Sequence, residues 1–147
     1  MRKFALAIFV CAFLSCENQS SGDNDSDMSL SDSLLSEVLA GHDVAMPKMA
    51  KLNRLLKQAQ SEYDSLKNLP RTEVHKKRMA LLDSTIKDLN YADAAMNEWM
   101  DGFKYDSLKN DETQRQAYLR VQLTSVNKMK DVVLSSIAKA DSVLSSK

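Results

Sequence analysis

Apolar residues return every seven positions along most of the chain. Leu35, His42, Met49, Leu56 and Tyr63 form one such line, and Val38, Ala45, Leu52, Ala59 and Leu66 form a second. Two adjacent lines of this kind are the seam of a coiled-coil-type helix, because seven residues make nearly two helical turns. They predict a first helix over about 31–68. Pro47 falls inside it, two residues past Ala45 and therefore off the seam, where its ring kinks the rod without entering the core. A second helix, about 72–104, follows the Asn68-Leu69-Pro70-Arg71 turn with Thr72 as N-cap. Its apolar stripe reads Leu82, Ile86, Leu89, Ala92, Met96, Met100 and Phe103. A third helix, about 112–144, carries Leu119, Leu123, Val126, Met129, Val133, Ile137, Ala140 and Leu144 at helical spacing.

From Leu30 onward the only helix breakers are Gly41, Gly102, Pro47 and Pro70, so the punctuation allows three long helices and short connections. Short connections make neighbours antiparallel. The expected fold is all-α, an up-down-up three-helix bundle of coiled-coil type over residues 30–147, to which a partner chain could add a fourth helix. The hexapeptide Tyr63-Asp64-Ser65-Leu66-Lys67-Asn68 recurs as Tyr105-Asp106-Ser107-Leu108-Lys109-Asn110. It is either coincidence or the trace of a duplicated helix and turn, and its second copy allows the second helix to run on to Asn110.

The chain opens differently. Arg2 and Lys3 precede Phe4–Leu14, eleven residues without a charged or strongly polar side chain. A positive start and a short apolar run are the parts of a secretory signal, and the run is too short to span a bilayer. Phe13-Leu14-Ser15-Cys16 resembles a bacterial lipobox, with Phe13 in place of the more usual Leu. Residues 1–15 are then a cleaved signal peptide and Cys16 the lipidated residue, its acyl chains (palmitate among them) holding the protein at a membrane surface. The competing reading is an ordinary cleaved signal that leaves Cys16 free. Residues 16–29 are the tether, in which Ser, Asn, Asp and Gly bury too little apolar area to fold. Glu17, Asp23, Asp25, Asp27 and, just past the tether, Asp32 form an acidic opening without lysine or arginine, which resembles a surface-export signal of Bacteroidota lipoproteins and equally suits a plain solvated linker.

Charge and cysteine content narrow the function. Without residues 1–15 the chain holds 18 basic and 20 acidic residues, a balance that favours neither nucleic acid nor an acidic lipid surface. Cys11 leaves with the signal and Cys16 carries lipid, so no thiol remains for disulfides, thiolate metal sites or nucleophilic catalysis. No phosphate-cradling glycine loop or Ser-His-acid pattern is present, and no enzymatic activity is expected.

One stretch could carry chemistry. His42, Met46 and Met49 share adjoining parts of one helical face, and Met96 and Met100 stand one turn apart on the second helix with Trp99 between them. If the hairpin reverses at Leu69 and Pro70, opposed residue numbers sum to about 140, which sets His42 level with Glu98 and within a turn of Met96, Trp99 and Met100. Imidazole and thioethers without a thiolate suit Cu(I) or Ag(I), with Trp99 adjacent as an aromatic shield. The same residues suit an ordinary core in which methionines fill an irregular space. Haem held by His42 and Met96 or Met100 fits poorly in three helices without an attachment motif. His75 reads as a surface residue.

His42-Asp43-x-x-Met46-Pro47-Lys48-Met49 and Ala94-Ala95-Met96-Asn97-Glu98-Trp99-Met100-x-x-Phe103, on this helical frame, resemble the small Bacteroidota lipoproteins labelled viral A-type inclusion proteins. Val44-Ala45 departs from the acidic and apolar pair expected there. The resemblance covers most of the chain after the signal. It implies a helical envelope lipoprotein, and it brings no established activity and no viral role. The expected protein is a lipid-anchored, non-enzymatic interaction or adaptor module of the bacterial envelope. Its place is the outer membrane, on the periplasmic face or the cell surface, with itself or another envelope protein as partner. A Cu(I)-binding envelope protein is the alternative, and an enzyme the third.

Overall fold

The computed structural model describes residues 29–146. The signal peptide, Cys16 and the tether through residue 28 lie outside the described residues. Helix α1 spans Leu30–Ala45, a single 3₁₀ turn spans Met46–Lys48, and α2 spans Met49–Lys67. Helices α3 and α4 span Glu73–Gly102 and Glu112–Ser145. The first two are halves of one kinked rod, so the fold is the all-α, up-down-up three-helix bundle. No helix among the described residues is long and apolar enough to cross a membrane.

The ends follow from local chemistry. Ser29, Thr72 and Asp111 each place a side-chain oxygen on the backbone N–H three residues on, at 3.1, 3.2 and 3.0 Å, and satisfy a donor the helix leaves free. Thr72 is thus the cap that the sequence predicts. The kink arises where Pro47 lacks an amide hydrogen, and the chain tightens there into 3₁₀ geometry with Pro47 exposed. The seam survives it: Val38, Ala45, Leu52 and Ala59 are all fully buried. The kink also changes partners, because α1 packs chiefly on α4, whereas α2 packs chiefly on α3. Backbone to backbone, α1 scarcely approaches α3. Large side chains fill the space left between them.

On α3 the buried line is Leu82, Thr85, Leu89, Ala92, Met96 and Trp99. This corrects the predicted stripe: Ile86 is only half-buried and Met100 is exposed. Two heptad lines, 82-89-96 and 85-92-99, form the seam, and the residue beside each apolar choice is the one that points inward. On α4 the predicted stripe is buried except for half-buried Leu123, joined by Arg115 and Ser136. Ser136 donates its hydroxyl to the Asp88 carbonyl at 3.2 Å. Polar ties close the bundle. Arg78 grips Glu62 through Nε and Nη2 at 2.6 and 3.0 Å, and its Nη1 donates to the Val143 and Ser146 carbonyls at 2.7 and 3.0 Å. One guanidinium therefore binds α2, α3 and the last turn of α4.

The two hexapeptide copies repeat their side-chain contacts: Lys67 pairs with Asp64 over the Tyr63 ring, and Lys109 pairs with Asp106 over Tyr105. Their backbones differ. The first copy ends α2, while the second lies in the α3–α4 turn, so α3 stops at Gly102 and does not reach Asn110. Nor is the repeat a folding unit. Carrying Leu82, Leu89 and Met96 forward by the spacing of the copies lands on Thr124, Asp131 and Ala138, all exposed. Buried Arg115 secures the second copy, donating from Nη1 to the Ser107 carbonyl at 2.8 Å and to that of Tyr105 at 3.5 Å.

In that turn Leu108 has φ of 58°, a left-handed conformation that a Cβ disfavours, and its side chain is 40% exposed. Leu108→Gly is expected to stabilise the protein by about 0.5–1 kcal/mol, since relief of strain exceeds the extra unfolded-state entropy of glycine. Urea titrations of both forms measure it, and a destabilised variant would mean that the Leu108 side chain contributes more than its backbone costs.

At the same end Ser31 donates to Glu112 at 2.8 Å and so joins the starts of α1 and α4. The Gln116 amide and the Ser31 hydroxyl hold the Glu112 carboxyl below its ordinary 4.5. The Gln114 backbone N–H, then its side chain, hold Asp111 below 3.8. Both groups prefer to be charged when folded, so their contribution is complete above the ordinary carboxylate range and is lost as pH falls through it. Between about pH 5 and 3, amide-exchange protection in the first turns of α1 and α4 is therefore expected to drop before that at mid-helix. Uniform loss along the chain would refute this local control.

Candidate functional site

The wide level between α1 and α3 is the place where the sequence gathers its unusual residues. His42 on α1 stacks on Trp99 of α3, ring centroids 5.5 Å apart and planes at 26°. Trp99 stacks in turn on Phe103 at 5.0 Å and 13°, and Phe103 on Tyr118 of α4 at 6.4 Å and 10°. The result is a ladder of four rings that runs from the first helix to the last across a gap aliphatic side chains would leave under-filled. Offset aromatic pairs at such separations contribute about 0.5–1.5 kcal/mol each beyond their burial. The Tyr118 hydroxyl accepts the Lys104 backbone N–H at 2.7 Å, which satisfies the backbone just past the end of α3.

The meeting of His42 with Trp99 is the juxtaposition that antiparallel numbering predicts. The methionines share no single environment. Met96 is 1% exposed within the core and Met49 packs half-buried against it, whereas Met46 is 44% and Met100 37% exposed. Met46 opens the 3₁₀ turn but keeps the α-helical bond from its N–H to the His42 carbonyl, and it is exposed because it stands one position off the buried Val38–Ala45–Leu52 line. Among the described residues no group of three or more His, Cys, Asp and Glu side chains stands together. His42, its side chain 22% exposed, sets Nδ1 at 3.1 Å from the exposed Asp43 carboxylate. His75, expected at the surface, is half-buried and holds the Pro70 carbonyl through Nδ1 at 2.6 Å.

Trp99 has a second side. It is 7% exposed, its Nε1 is buried without a hydrogen-bond partner among the described residues, and its ring also lines a groove between α3 and α4. The groove, of about 370 Å³, presents Tyr91, Ala95 and Glu98 on one wall and Lys128, Met129 and Val132 on the other. It continues toward the far end of the bundle past Asp88, Ser135 and Lys139. There Lys139 bridges the walls, with Nζ 2.5 Å from Asp88 Oδ2 and 3.0 Å from Ser84 Oγ. At the Trp99 level nothing bridges them: neither Glu98 nor Lys128 makes an ion pair among the described residues. Tyr91 stands 58% exposed over this opening.

Sequence reasoning finds His42 and Trp99 and misses the groove, because the groove is the space between two helices and no residue type marks it. Tyr91 is its best sequence signal, an aromatic residue seven positions before Glu98 and off the apolar stripe. Chemically, the arrangement offers a mixed, open surface with an aromatic floor and one unpaired charge of each sign. No family model, curated protein or solved structure matches the chain.

Proposed function

We propose that this chain is a lipid-anchored, non-enzymatic interaction module of the bacterial envelope. Cys16 holds it at the outer membrane, the acidic tether spaces it from the bilayer, and the bundle presents the α3–α4 groove. The observation that supports this reading best is that groove, which sets exposed Tyr91 beside buried Trp99 along an open seam between two helices. Binding surfaces are enriched in aromatic residues, and Tyr91 and Trp99 supply two here. The resemblance to small Bacteroidota lipoproteins points the same way.

Anchorage is tested by growing an expressing bacterium with labelled palmitate. Label on the chain, lost in Cys16→Ala together with retention in the outer-membrane fraction, is the expected result; an unlabelled, freely extracted chain refutes the anchor. A photo-crosslinking amino acid at Tyr91 is expected to give a discrete adduct in intact cells. The same group at Asn53, exposed on α2 and away from the groove, is expected to give none.

A further inference from the structure

The groove has a register that identifies what fits it. The Ser136–Asp88 hydrogen bond joins α4 to α3 and the Tyr118–Lys104 bond joins α4 to the chain two residues past α3, at residues whose numbers sum to 224 and 222. On that register Tyr91 lies opposite Val132, and Glu98 lies within one turn of Lys128. Tyr91 and Glu98 are seven apart on one line of α3, and Val121 and Lys128 are seven apart on one line of α4. Tyr91 is 58% and Val121 64% exposed. Tyr91 and Glu98 line the α3 wall and Lys128, Met129 and Val132 the α4 wall, so each carries large apolar surface and one unpaired charge, acidic on α3 and basic on α4.

We infer that the occupant of this groove is a second copy of the same chain, related by a two-fold axis parallel to the helices. Two copies can face each other groove to groove by two kinds of two-fold. An axis across the helices sets α3 on α3 and α4 on α4, carboxylate wall on carboxylate wall. An axis along the helices sets α3 on the partner's α4 without shifting levels. Glu98 then meets Lys128 of the partner subunit, and the partner's Glu98 meets Lys128, while Tyr91 falls against Val132 of the partner subunit and covers the apolar floor. Like charges in direct opposition are unfavourable and opposite charges favourable, so the charges choose the parallel arrangement. The four helices at the contact form the four-helix packing that a three-helix bundle leaves one side short of completing.

The parallel arrangement also brings both Ser29 ends to the same end of the dimer, as two chains anchored to one membrane require. The inference deepens the proposed function by naming the occupant of its groove. The contact is small: two helices side by side are about 20 Å wide and the groove roughly 25 Å long, which gives on the order of 500 Å² per subunit. An area of that size implies a reversible dimer in the micromolar range, for which a shared membrane surface raises the effective concentration.

The test uses the chain from residue 16 to 147 with Cys16→Ser in place of lipidation. Sedimentation is expected to show a concentration-dependent dimer. Glu98→Lys and Lys128→Glu, both at exposed positions, are each expected to weaken it at least ~10-fold, because each sets like charges against one another twice, and the double reversal is expected to restore it. Circular dichroism checks that all four proteins stay helical. A nitroxide label at Lys109→Cys, at the end that holds the α3–α4 turn, separates the two-folds. Label distances of roughly 20–30 Å fit the parallel dimer, and distances of about 35 Å or more, twice the rise from the groove centre to the turn, fit the crossed one and overturn the proposal. A chain that stays monomeric to ~200 µM, or a dimer indifferent to both single reversals, overturns it equally. Failure of palmitate labelling would leave this dimer standing, and a monomeric result would leave the anchor standing.

Discussion

Trp99→Ala is expected to destabilise the bundle by about 3–5 kcal/mol, while Trp99→Phe is expected to cost only about 1 kcal/mol. Trp99 is 7% exposed and is the second ring in the ladder from His42 to Tyr118, between helices α1 and α3 whose backbones scarcely approach. Alanine removes the ring that spans this gap and leaves a cavity that α1 and α3, each held by its packing on α4, cannot readily close. Phenylalanine keeps a flat ring between His42 and Phe103 and loses only part of the contact area. It also removes the indole N–H, whose nitrogen is buried without a partner. A buried donor with no acceptor costs about 1–3 kcal/mol, so its removal offsets most of the lost packing. Urea denaturation of the three proteins measures both differences. Equal losses for Ala and Phe would show that the N–H is satisfied in solution and that the ladder depends on the indole itself.

Much of this fold is legible because its information is periodic and local. The heptad line Val38, Ala45, Leu52 and Ala59 holds its register through a proline, and Thr72 announces the start of α3 to within a residue. Antiparallel numbering alone brings His42 to Trp99, since helices of equal rise keep count of each other along their length. The failures have physical causes too. On α3 the eye follows Ile86 and Met100, apolar residues one step from the seam, whereas the helix buries Thr85, which donates its hydroxyl to the Leu81 carbonyl at 2.8 Å and so brings its own partner inward. Arg115 is buried because its acceptors are backbone carbonyls of the second hexapeptide, invisible to any pattern of side chains. Among the methionines, residue type reports a soft sulfur and says nothing of exposure. Met46 keeps its α-helical place after His42 and is exposed all the same, one position off the buried seam at Ala45.

Kink and ladder are two consequences of one event. Pro47 turns α1 toward α4, and the gap that opens against α3 is filled by rings, one of which reaches the groove on the far side of α3. The groove's aromatic floor is therefore set from the opposite side of the bundle by the direction of α1. A change in that direction should register on the groove even though no α1 residue lines it.

Gly41 is where that direction is fixed, and Gly41→Val is expected to cost about 3 kcal/mol, at the upper end of overpacking effects. A Cβ at Gly41 would sit 3.0 Å from Val126 Cγ1 and 3.3 Å from Cγ2, so α1 and α4 approach as closely as they do because this position has no side chain. Gly41→Ala sets two effects against each other: alanine favours the helix by about 1 kcal/mol, and the clash with fully buried Val126 costs about 1–3 kcal/mol, which leaves a small net loss. Valine adds two further methyl groups to the same contact and brings no such helical gain. The partner identifies the mechanism. Gly41→Val combined with Val126→Ala is expected to recover about 2 kcal/mol relative to the sum of the two single changes, because the methyl groups removed from α4 make room for those added to α1. Gly102→Ala is the control: a Cβ there meets nothing within 4 Å, and the substitution should be neutral or stabilising by a few tenths of a kcal/mol. Thermal denaturation of the set, with Trp99 fluorescence followed in parallel, checks both stability and the tilt of α1. Additive losses at Gly41 and Val126 would mean that the two helices do not meet there. An unchanged Trp99 spectrum in a destabilised Gly41→Val protein would mean that the ring ladder is held without α1.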